Sequence, residues 1–232
     1  MSVKDLLETT INAEKKKQEL EYKLLQSQIN PHFLYNTLNS IKWMATLQNA
    51  PGIAEMTTAL SRLLKNIAKG TRAIISLKEE MDLLGDYFLI QRYRYGGALL
   101  LETHIPPELH DCPIPRFTLQ PLVENAIFHG IEPKGGVGTI TITAEPSPRE
   151  ENMVMITITD DGIGMSQEQI DAIMQGHGGN DGMFQGFGAS NVNSRLRWCF
   201  GEKAGMSITS QQDAYTCVTI HIPRTQEEKS HA

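Results

Sequence analysis

Residues Gln26–Ile41 read QSQINPHFLYNTLNSI, and they lie within a heptad pattern that decides the fold of the first part of the chain. From Leu20 to Ala45, mostly apolar residues recur at spacings of alternately four and three: Leu20, Leu24, Ser27, Pro31, Leu34, Leu38, Ile41 and Ala45. This spacing buries one stripe of a helix against partner helices. Because proline donates no N–H and clashes with the preceding turn, we expect a kink at Pro31. Toward the N-terminus the stripe weakens through the charged Glu14–Glu19 segment, which is typical of a solvated coiled-coil face.

A second helix follows the first after a turn. The residues Asn49-Ala-Pro-Gly52 are typical of turns. Apolar residues then recur at helical spacing: Ile53, Met56, Leu60, Leu63, Leu64 and Ile67. Two helices joined by a short loop bury too little apolar surface to be stable alone. Pairing two such hairpins into a four-helix bundle would complete the core, so we expect a homodimer.

The pattern changes after Ser76. Helical patterns are found at residues 77–95, 117–131 and 189–200, and strand patterns at 99–105, 139–144, 153–159, 206–210 and 215–222. Because strands and helices do not alternate regularly, we expect an α+β fold in which helices cover a single face of one mixed sheet. Residues 162–188 are rich in glycine and predict a mobile loop region.

Composition and charge restrict the class of protein. The 232 residues are enough for one or two domains, and a net charge of −6 argues against nucleic acid as a direct partner. The three cysteines show no CxxC spacing, which favours reduced thiols over a disulfide or metal framework. No apolar run is long enough to span a membrane. The first residues have the pattern of the middle of a helix, so we expect a soluble fragment of a longer protein.

Two polar residues of the first helix are candidates for chemistry. In the heptad frame Pro31 and Leu34 are buried positions, which places His32 and Asn36 one turn apart on the outward face. An exposed imidazole can present its unprotonated nitrogen as a nucleophile to a phosphoryl group, and Asn36 could orient the ring or a water beside it. From position alone, the alternative is an ordinary surface histidine.

A second motif, Leu119–Gly130 (LQPLVENAIFHG), combines a helical pattern with polar residues. Its apolar side is buried, and Asn125 and His129 lie four residues apart on a common side. The amide oxygen of Asn125 is a suitable ligand for Mg²⁺, which typically keeps several waters and binds through substrate phosphates. The alternative is a structural polar pair.

Two further motifs contain closely spaced glycines. Thr159–Met165 (TDDGIGM) directly follows a strand, and Gly162 and Gly164 allow the backbone to approach a flat ligand closely. Gly186–Leu196 (GFGASNVNSRL) begins with two glycines before a helix whose N-terminal N–H groups would face an anion. Taken singly, the first motif is also compatible with a tight turn, and the second is weak.

The quoted residues together resemble a known family. QINPHFLYNTLNSI resembles the phosphoacceptor box of the LytS/YesM-like sensor histidine kinases. The motifs at 119–130, 159–165 and 186–196 are similar to the N box, the DxGxG box and the GxGLxNVxxRL box of the GHKL ATPase superfamily. Two departures are visible: Phe33, not an acidic residue, follows the histidine, and Ala189-Ser190 replaces the usual Leu and its neighbour. What accepts the proton at His32 is therefore open.

The resemblance implies a role for each matching residue. It makes His32 the phosphorylated residue with Asn36 beside it, while Glu124 would orient a water on the metal. Asn125 would hold Mg²⁺ and the phosphates of ATP, and Asp160 would recognise adenine. The remaining nucleotide-binding positions by the same match are His129, Lys134, Gly162, Gly164, Gly186, Gly188 and Asn191, of which Asn191 is also compatible with a structural role.

We therefore predict a sensor histidine kinase of a two-component system. Residues 1–75 would carry the signalling coiled coil and the dimerisation and phosphotransfer helices, 76–225 a GHKL-type α/β-sandwich ATP-binding domain, and 226–232 a disordered tail. The predicted partner is a response regulator, by resemblance of the AraC or LytTR type, whose aspartate takes the phosphoryl group from His32. The fragment would belong to the cytoplasmic portion of a bacterial cell-membrane protein, reaching the membrane only through upstream segments.

Two alternatives remain open from the residues. The chain could be a GHKL-type ATPase or ATP-binding switch that hydrolyses ATP without phosphorylating itself. It could also be a non-catalytic dimeric signalling module with a vestigial nucleotide site. The outward His32–Asn36 pair argues against the first alternative, and the intact nucleotide motifs argue against the second.

Overall fold

The structure of this chain is a computed structural model that describes residues 31–69, 72–148, 150–174 and 187–225. The chain divides into two compact units, Met1–Ala68 and Lys69–Ala232, and each is described by itself. In the described part of the chain, no helix is both long enough and apolar enough to cross a membrane.

The first unit contains the predicted helical hairpin. Helix α1 spans Pro31–Leu47 and helix α2 spans Pro51–Lys69. The connection closes through Asn49, which has a left-handed φ of 53°, and through the Ala50 N–H, which donates to the Ala45 carbonyl at 2.9 Å. Pro51 then begins α2 at the position where a missing N–H has no consequence. The predicted kink involves the turn before Pro31, which lies outside the described residues.

Apolar side chains of this unit divide between buried and exposed positions. Leu38 and Ala45, two positions of the heptad stripe, are buried together with Ala59 and Leu63 of α2. Several large apolar side chains remain exposed in the single chain: Phe33, Trp43, Met44, Leu47, Ile53, Leu60 and Ile67. The hairpin therefore presents apolar surface that a second polypeptide could cover.

The second unit is built on a mixed five-stranded sheet, as predicted. Its strands are β2 (Leu99–His104), β4 (Gly138–Pro146), β5 (Met153–Asp160), β6 (Gly205–Gln211) and β7 (Tyr215–Pro223). They lie in the order β2-β4-β5-β7-β6. The pair β2 and β4 is parallel, whereas the other neighbouring pairs are antiparallel.

The alternation of side chains along these strands separates a covered face from an open one. Isoleucines at alternate positions of β4, β5 and β7 are fully or almost fully buried: Ile140, Ile142, Ile156, Ile158, Ile220 and Ile222. The intervening positions form half-buried cross-strand rows, such as Thr143, Thr157 and Thr219. β-Branched threonine suits a pleated surface that faces water, so helices are needed on one face only.

Four α-helices are described in this unit: α3 (Leu77–Arg94), α4 (Leu119–Asn125), α5 (Gln167–Met174) and α6 (Phe187–Phe200). Helix α3 begins with a capping box in which the Ser76 hydroxyl accepts from the Glu79 N–H and the Glu79 carboxylate accepts from the Ser76 N–H. Contacts of α4 with both α3 and α6 place it in the middle of the helical layer.

A small second sheet and one of the helices of the second unit were not predicted from the sequence. Strands β1 (Ile74–Ser76) and β3 (Pro113–Pro115) form a small antiparallel sheet of three residues each, too short for an alternating pattern to reveal. The glycine-rich stretch 162–188, predicted to be a loop region, contains helix α5 at Gln167–Met174. The segment that forms α5 is amphipathic and contains no glycine, but the glycines before and after it led to the prediction of a loop. Residues 175–186 lie outside the described part of the chain.

Candidate functional site

A pocket of about 320 Å³ opens beside the buried face of the sheet. It lies between α4 and its continuation, the loop after β5, and α5, with side chains of β6 and β7 completing the wall. Its lining residues are mostly apolar and include a few polar side chains. Such a combination is characteristic of small-molecule sites, in which few polar groups fix the orientation of the ligand.

One wall of the pocket comes from an unusual helical segment. Helix α4 ends at Asn125 and continues as a π-helix over Ala126–Ile131, followed by a 3₁₀ turn at Glu132–Lys134. We expected a single regular helix over 117–131. π-Helical turns are rare and frequently occur at functional sites. Asn125 and His129, predicted to share one side of the helix, both line the pocket.

The opposite wall carries Asp160 at the end of β5. Its side chain is only 4% exposed, and its Oδ1 accepts a hydrogen bond from the Gly162 N–H at 2.9 Å. Burial raises the pKa of the Asp160 carboxyl to about 6, and the Gly162 hydrogen bond partly opposes that shift. The carboxyl is therefore mostly ionised at neutral pH, and Asp160 lines the pocket.

Two glycines allow the two walls to meet. A Cβ on Gly130 would lie 2.5 Å from Asp160 Oδ1, and a Cβ on Gly162 would overlap the backbone of Gly130. The Ile163 N–H donates to the Gly130 carbonyl at 2.9 Å, which fixes this approach. The motifs at 119–130 and 159–165 thus interlock at two glycines, since a Cβ on Gly162 would collide with the Gly130 backbone and a Cβ on Gly130 with the Asp160 carboxylate.

Lys134 lies outside the pocket lining. Its Nζ is 2.8 Å from Asp161 Oδ1 and also donates to the Asp161 carbonyl oxygen. The same Oδ1 accepts from the Thr139 N–H at 3.0 Å. The ammonium group therefore ties the 3₁₀ turn to the end of β5, and its charge lowers the pKa of the neighbouring Asp160.

Glu124 is half-buried and also lies outside the pocket lining. Burial raises the pKa of its carboxyl. Its charge acts on Tyr87 of α3, whose hydroxyl pKa is raised first by burial and then by Glu124. The Glu124 carboxylate is therefore near enough to Tyr87 to influence its hydroxyl electrostatically.

The remaining predicted positions are described only in part. Asn191 is exposed on α6 and does not line the pocket, while Gly188 belongs to the first turn of that helix. Gly186 lies outside the described residues. In the first unit, His32 belongs to the first turn of α1 without a described side chain, and Asn36 is exposed one turn later.

Apolar residues of the pocket were missed in the sequence. They come from the loop after β5, from α5 and from the sheet: Ile163, Met165, Ala172, Ile173, Ile208 and Val218. The alternation of Ile163 and Met165 with the glycines of TDDGIGM was a usable signal. No pattern in the sequence indicates that Ile208 of β6 and Val218 of β7 line the same pocket as Asp160.

The oxygen ligands of the pocket suit a metal ion that binds together with a phosphate-containing substrate. Within the described ranges, no three His, Cys, Asp or Glu side chains come together to hold a metal. The pocket instead offers the Asn125 amide as a single hard oxygen ligand. Mg²⁺ commonly binds through one or two protein oxygens, several waters and substrate phosphates.

Comparison with known protein families accounts for both units. Residues 20–99 match the histidine kinase family, and residues 113–226 match the family of histidine kinase-, DNA gyrase B-, and HSP90-like ATPases. The solved catalytic domain of histidine kinase ThkA shares the fold, with a TM-score of 0.52 at 18% identity over 66% of this chain and 97% of that one.

Curated relatives agree with these matches. The chain is 37% identical to the sensor histidine kinase YesM of Bacillus subtilis over 95% of this chain and 36% of that protein. It is 33% identical to the sensor histidine kinase BtsS of Escherichia coli over 88% of this chain and 33% of that protein. It is also 34% identical to YwpD of Bacillus subtilis over 89% of this chain and 72% of that protein. The chain thus spans about a third of the length of the two named kinases.

The fold and the pocket define the second unit as an ATP-binding domain of the histidine kinase-, DNA gyrase B- and HSP90-like class. With the match of the first unit and the relatives, the chain belongs to the sensor histidine kinase family.

Proposed function

We propose that this chain transfers the γ-phosphoryl group of ATP to its own His32 and that the group then passes to an aspartate of a response regulator. The observation that carries the proposal is the meeting of Asn125 and Asp160 in one pocket, since it joins the two nucleotide motifs of the sequence. The match of residues 20–99, which include His32, to the histidine kinase family supports His32 as the acceptor.

Adenine binding follows from the walls of the pocket. The Asp160 carboxylate accepts a hydrogen bond from the adenine amino group, since Asp160 lines the pocket and its carboxyl is mostly ionised at neutral pH. The apolar side chains of the β5 loop, α5 and the sheet cover the ring faces. Gly164 lines the same wall, and its lack of a side chain lets the loop pack against β6, since a Cβ there would collide with the Gln211 carbonyl oxygen.

Asn125 and His129 hold the phosphate end of the nucleotide. The Asn125 amide oxygen would be a ligand of Mg²⁺, which supplies charge neutralisation on the phosphates when bound. His129 is exposed at the pocket edge and can donate to a phosphate oxygen. Gly186, Gly188 and Asn191 would supply further contacts from the start of α6, and Lys134 would reach a phosphate only by leaving Asp161.

The transfer itself needs an unprotonated ring nitrogen of His32. That nitrogen attacks the γ-phosphorus, a nitrogen–phosphorus bond forms, the bond to the β,γ-bridging oxygen breaks, and ADP leaves. Asn36, one helical turn later, would orient the imidazole, and Glu124 would orient a water near the phosphates. Catalysis in such transfers depends mostly on positioning and charge stabilisation.

We extend the proposal to the organisation of the whole protein. Residues 1–75 would form the signalling and dimerisation helices of a homodimer, 76–225 the ATP-binding domain and 226–232 a disordered tail. The response regulator would be of the AraC or LytTR type. By its likeness to longer sensor kinases, the chain would be the cytoplasmic part of a bacterial cell-membrane protein.

The test separates a kinase from an ATPase. The chain and His32→Ala are incubated with Mg·ATP labelled at the γ-phosphate, and protein-bound label and free phosphate are counted together. We expect acid-labile, base-stable label on the wild-type chain and none on His32→Ala. Free phosphate released equally by both proteins, with no label on either, would instead support an ATPase or ATP-binding switch.

A further inference from the structure

A buried carboxylate of α3 holds the segment that leads into α4. Glu80 is only 1% exposed, and its two oxygens accept from the Phe117 N–H and the Leu119 N–H, each at 2.9 Å. Burial raises the pKa of the Glu80 carboxyl, while these N–H groups and the charge of Arg195 oppose the shift. We refer to residues 117–119 as the entry turn.

The Arg195 guanidinium of α6 donates hydrogen bonds to two acceptor groups of the same turn. Arg195 Nη2 donates to the Phe117 carbonyl at 2.6 Å and to the Thr118 hydroxyl at 3.3 Å. The charge of Glu80 also favours the protonated Arg195, against the effect of burial. One three-residue turn is therefore held by an anion from α3 and a cation from α6.

The backbone conformation of the entry turn requires support from the surrounding side chains. Phe117 has a φ of 57°, in the left-handed region that non-glycine residues avoid. A conformation of this kind costs on the order of 1 kcal/mol or more and persists only where the surroundings determine it. Thr118 is fully buried, and its hydroxyl donates to the Pro115 carbonyl at 2.5 Å.

The entry turn and Gly130 are the two ends of one pocket wall. Gly130 is fixed by the Ile163 N–H, whereas the entry turn is fixed by Glu80 and Arg195. Asn125 lies between these ends, and Asp160 lies on the opposite wall. Loss of the hydrogen bonds from Glu80 and Arg195 to the entry turn would thus displace Asn125, while the contact between Gly130 and Asp160 would remain.

We propose that Glu80 and Arg195 are positioning residues that fix α4, and with it the Asn125 side of the nucleotide pocket, against α3 and α6. The proposal rests on the proposed function for its consequence, which is tight binding of the phosphate end of ATP. Because Arg195 lies on the helix that begins near Gly188, the same bond also keeps the two phosphate-binding segments in register.

The test compares two ligands that use different ends of the pocket. Dissociation constants for Mg·ATP and for adenosine are measured on Arg195→Met, Arg195→Lys and Glu80→Gln below the melting temperature of each. The controls are Arg197→Met on α6 and Asp82→Asn on α3, which remove exposed charges from the same helices. Amide hydrogen exchange of residues 119–125 is followed without nucleotide.

For Arg195→Met and Glu80→Gln we expect Mg·ATP affinity to fall about tenfold or more, since small displacements of binding groups have large effects. Adenosine affinity should stay within about twofold, exchange in 119–125 should accelerate, and Arg195→Lys should recover part of the loss. The controls should match the wild-type chain.

Equal weakening of both ligands would overturn the positioning role, because it indicates general loss of structure. Unchanged exchange in 119–125 would overturn it as well, whatever the nucleotide data show. If the wild-type chain binds no Mg·ATP, the proposed function fails, and the exchange measurement still decides whether Glu80 and Arg195 hold α4. If Arg195→Met does not fold, Arg195→Lys and Glu80→Gln supply the same comparison.

Discussion

Asp160 is buried in the wall of the pocket, and its Oδ1 accepts a hydrogen bond from the Gly162 N–H. Its pKa of about 6 lies above the ordinary range of aspartate, so the carboxyl takes up a proton between neutral pH and pH 5. A protonated carboxyl no longer offers a charged acceptor to the adenine amino group. If Asp160 binds adenine as proposed, the pH dependence of adenine binding will report on the protonation of this residue.

We expect adenosine affinity to fall about tenfold between pH 7.5 and pH 5, as one proton must be released for binding. Adenosine is used because it carries no phosphate that titrates in this range, and its binding can be followed by titration calorimetry or NMR. Asp161→Asn should move the midpoint to lower pH, because the Asp161 charge raises the pKa of Asp160. A flat profile, or a midpoint that moves to higher pH in Asp161→Asn, would contradict the assignment.

Gly130 offers a second test at the scale of single residues. A methyl group there would lie 2.5 Å from Asp160 Oδ1 and force the two walls apart. Gly130→Ala should lower the free energy of unfolding by about 1–3 kcal/mol and weaken adenosine binding. Denaturant unfolding and adenosine titration measure the two effects.

The matched control for Gly130 is Gly85→Ala. Gly85 is exposed in α3, and a Cβ there would meet no atom within 4 Å. Alanine should stabilise the helix by about 0.5–1 kcal/mol and leave adenosine binding unchanged. We expect the two variants to change the free energy of unfolding in opposite directions. A Gly130→Ala chain with wild-type stability and adenosine affinity would show that the walls are not interlocked.

The nucleotide residues and the residues that support them differ in how far the sequence predicts them. Asn125 and Asp160 were predicted as parts of one site because their motifs resemble the N box and the DxGxG box of one ATPase superfamily. Glu80 follows two other charged residues in Lys78-Glu-Glu80 and shows no pattern. Its partners lie 37 and 39 residues away, so only the folded chain brings it to the entry turn.

Helix α3 begins at a point where local sequence and structure agree. In its capping box the Ser76 hydroxyl accepts a hydrogen bond from the Glu79 N–H, and the Glu79 carboxylate accepts one from the Ser76 N–H. Ser76→Ala should lower the free energy of unfolding by about 1 kcal/mol. Ser194→Ala, in the interior of α6 and exposed, should change it by less than about 0.5 kcal/mol. Equal effects in thermal or denaturant unfolding would contradict the role of the cap.

Among the elements, long periodic segments were predicted and short or irregular ones were not. Helix α2 and strands β4, β5 and β7 follow their hydrophobic periods closely. The π-helix over Ala126–Ile131 cannot be predicted in this way, because a local change in hydrogen-bond spacing leaves the composition of the segment unchanged. The pairing of β1 with β3 depends on three residues in each strand, too few for any period to appear.

At the scale of the whole molecule, the hairpin exposes apolar residues that a dimer would bury. Trp43 and Leu47 of α1 are 68% and 81% exposed in the single chain. The double variant Trp43→Lys with Leu47→Lys should weaken dimerisation on the order of a hundredfold or more, since each lost apolar contact contributes about 1.5–3 kcal/mol. Sedimentation velocity over a range of concentrations measures this.

The control for the dimer is Leu100→Lys, which changes an exposed leucine of strand β2 in the second unit. It should sediment as the wild-type chain does. A monomeric wild-type chain, or a double variant that stays dimeric at the same concentration, would contradict the homodimer.

The most direct measurement locates the phosphoryl group itself. The chain is incubated with Mg·ATP, digested under alkaline conditions that preserve phosphohistidine, and analysed by tandem mass spectrometry beside His32→Gln and His104→Gln. His104 is an exposed histidine of strand β2 and serves as the matched control. We expect phosphohistidine at residue 32 in the wild-type chain and in His104→Gln, and no phosphopeptide in His32→Gln. Phosphate on any other residue, or phosphorylation that persists in His32→Gln, would contradict the transfer of the γ-phosphoryl group to His32.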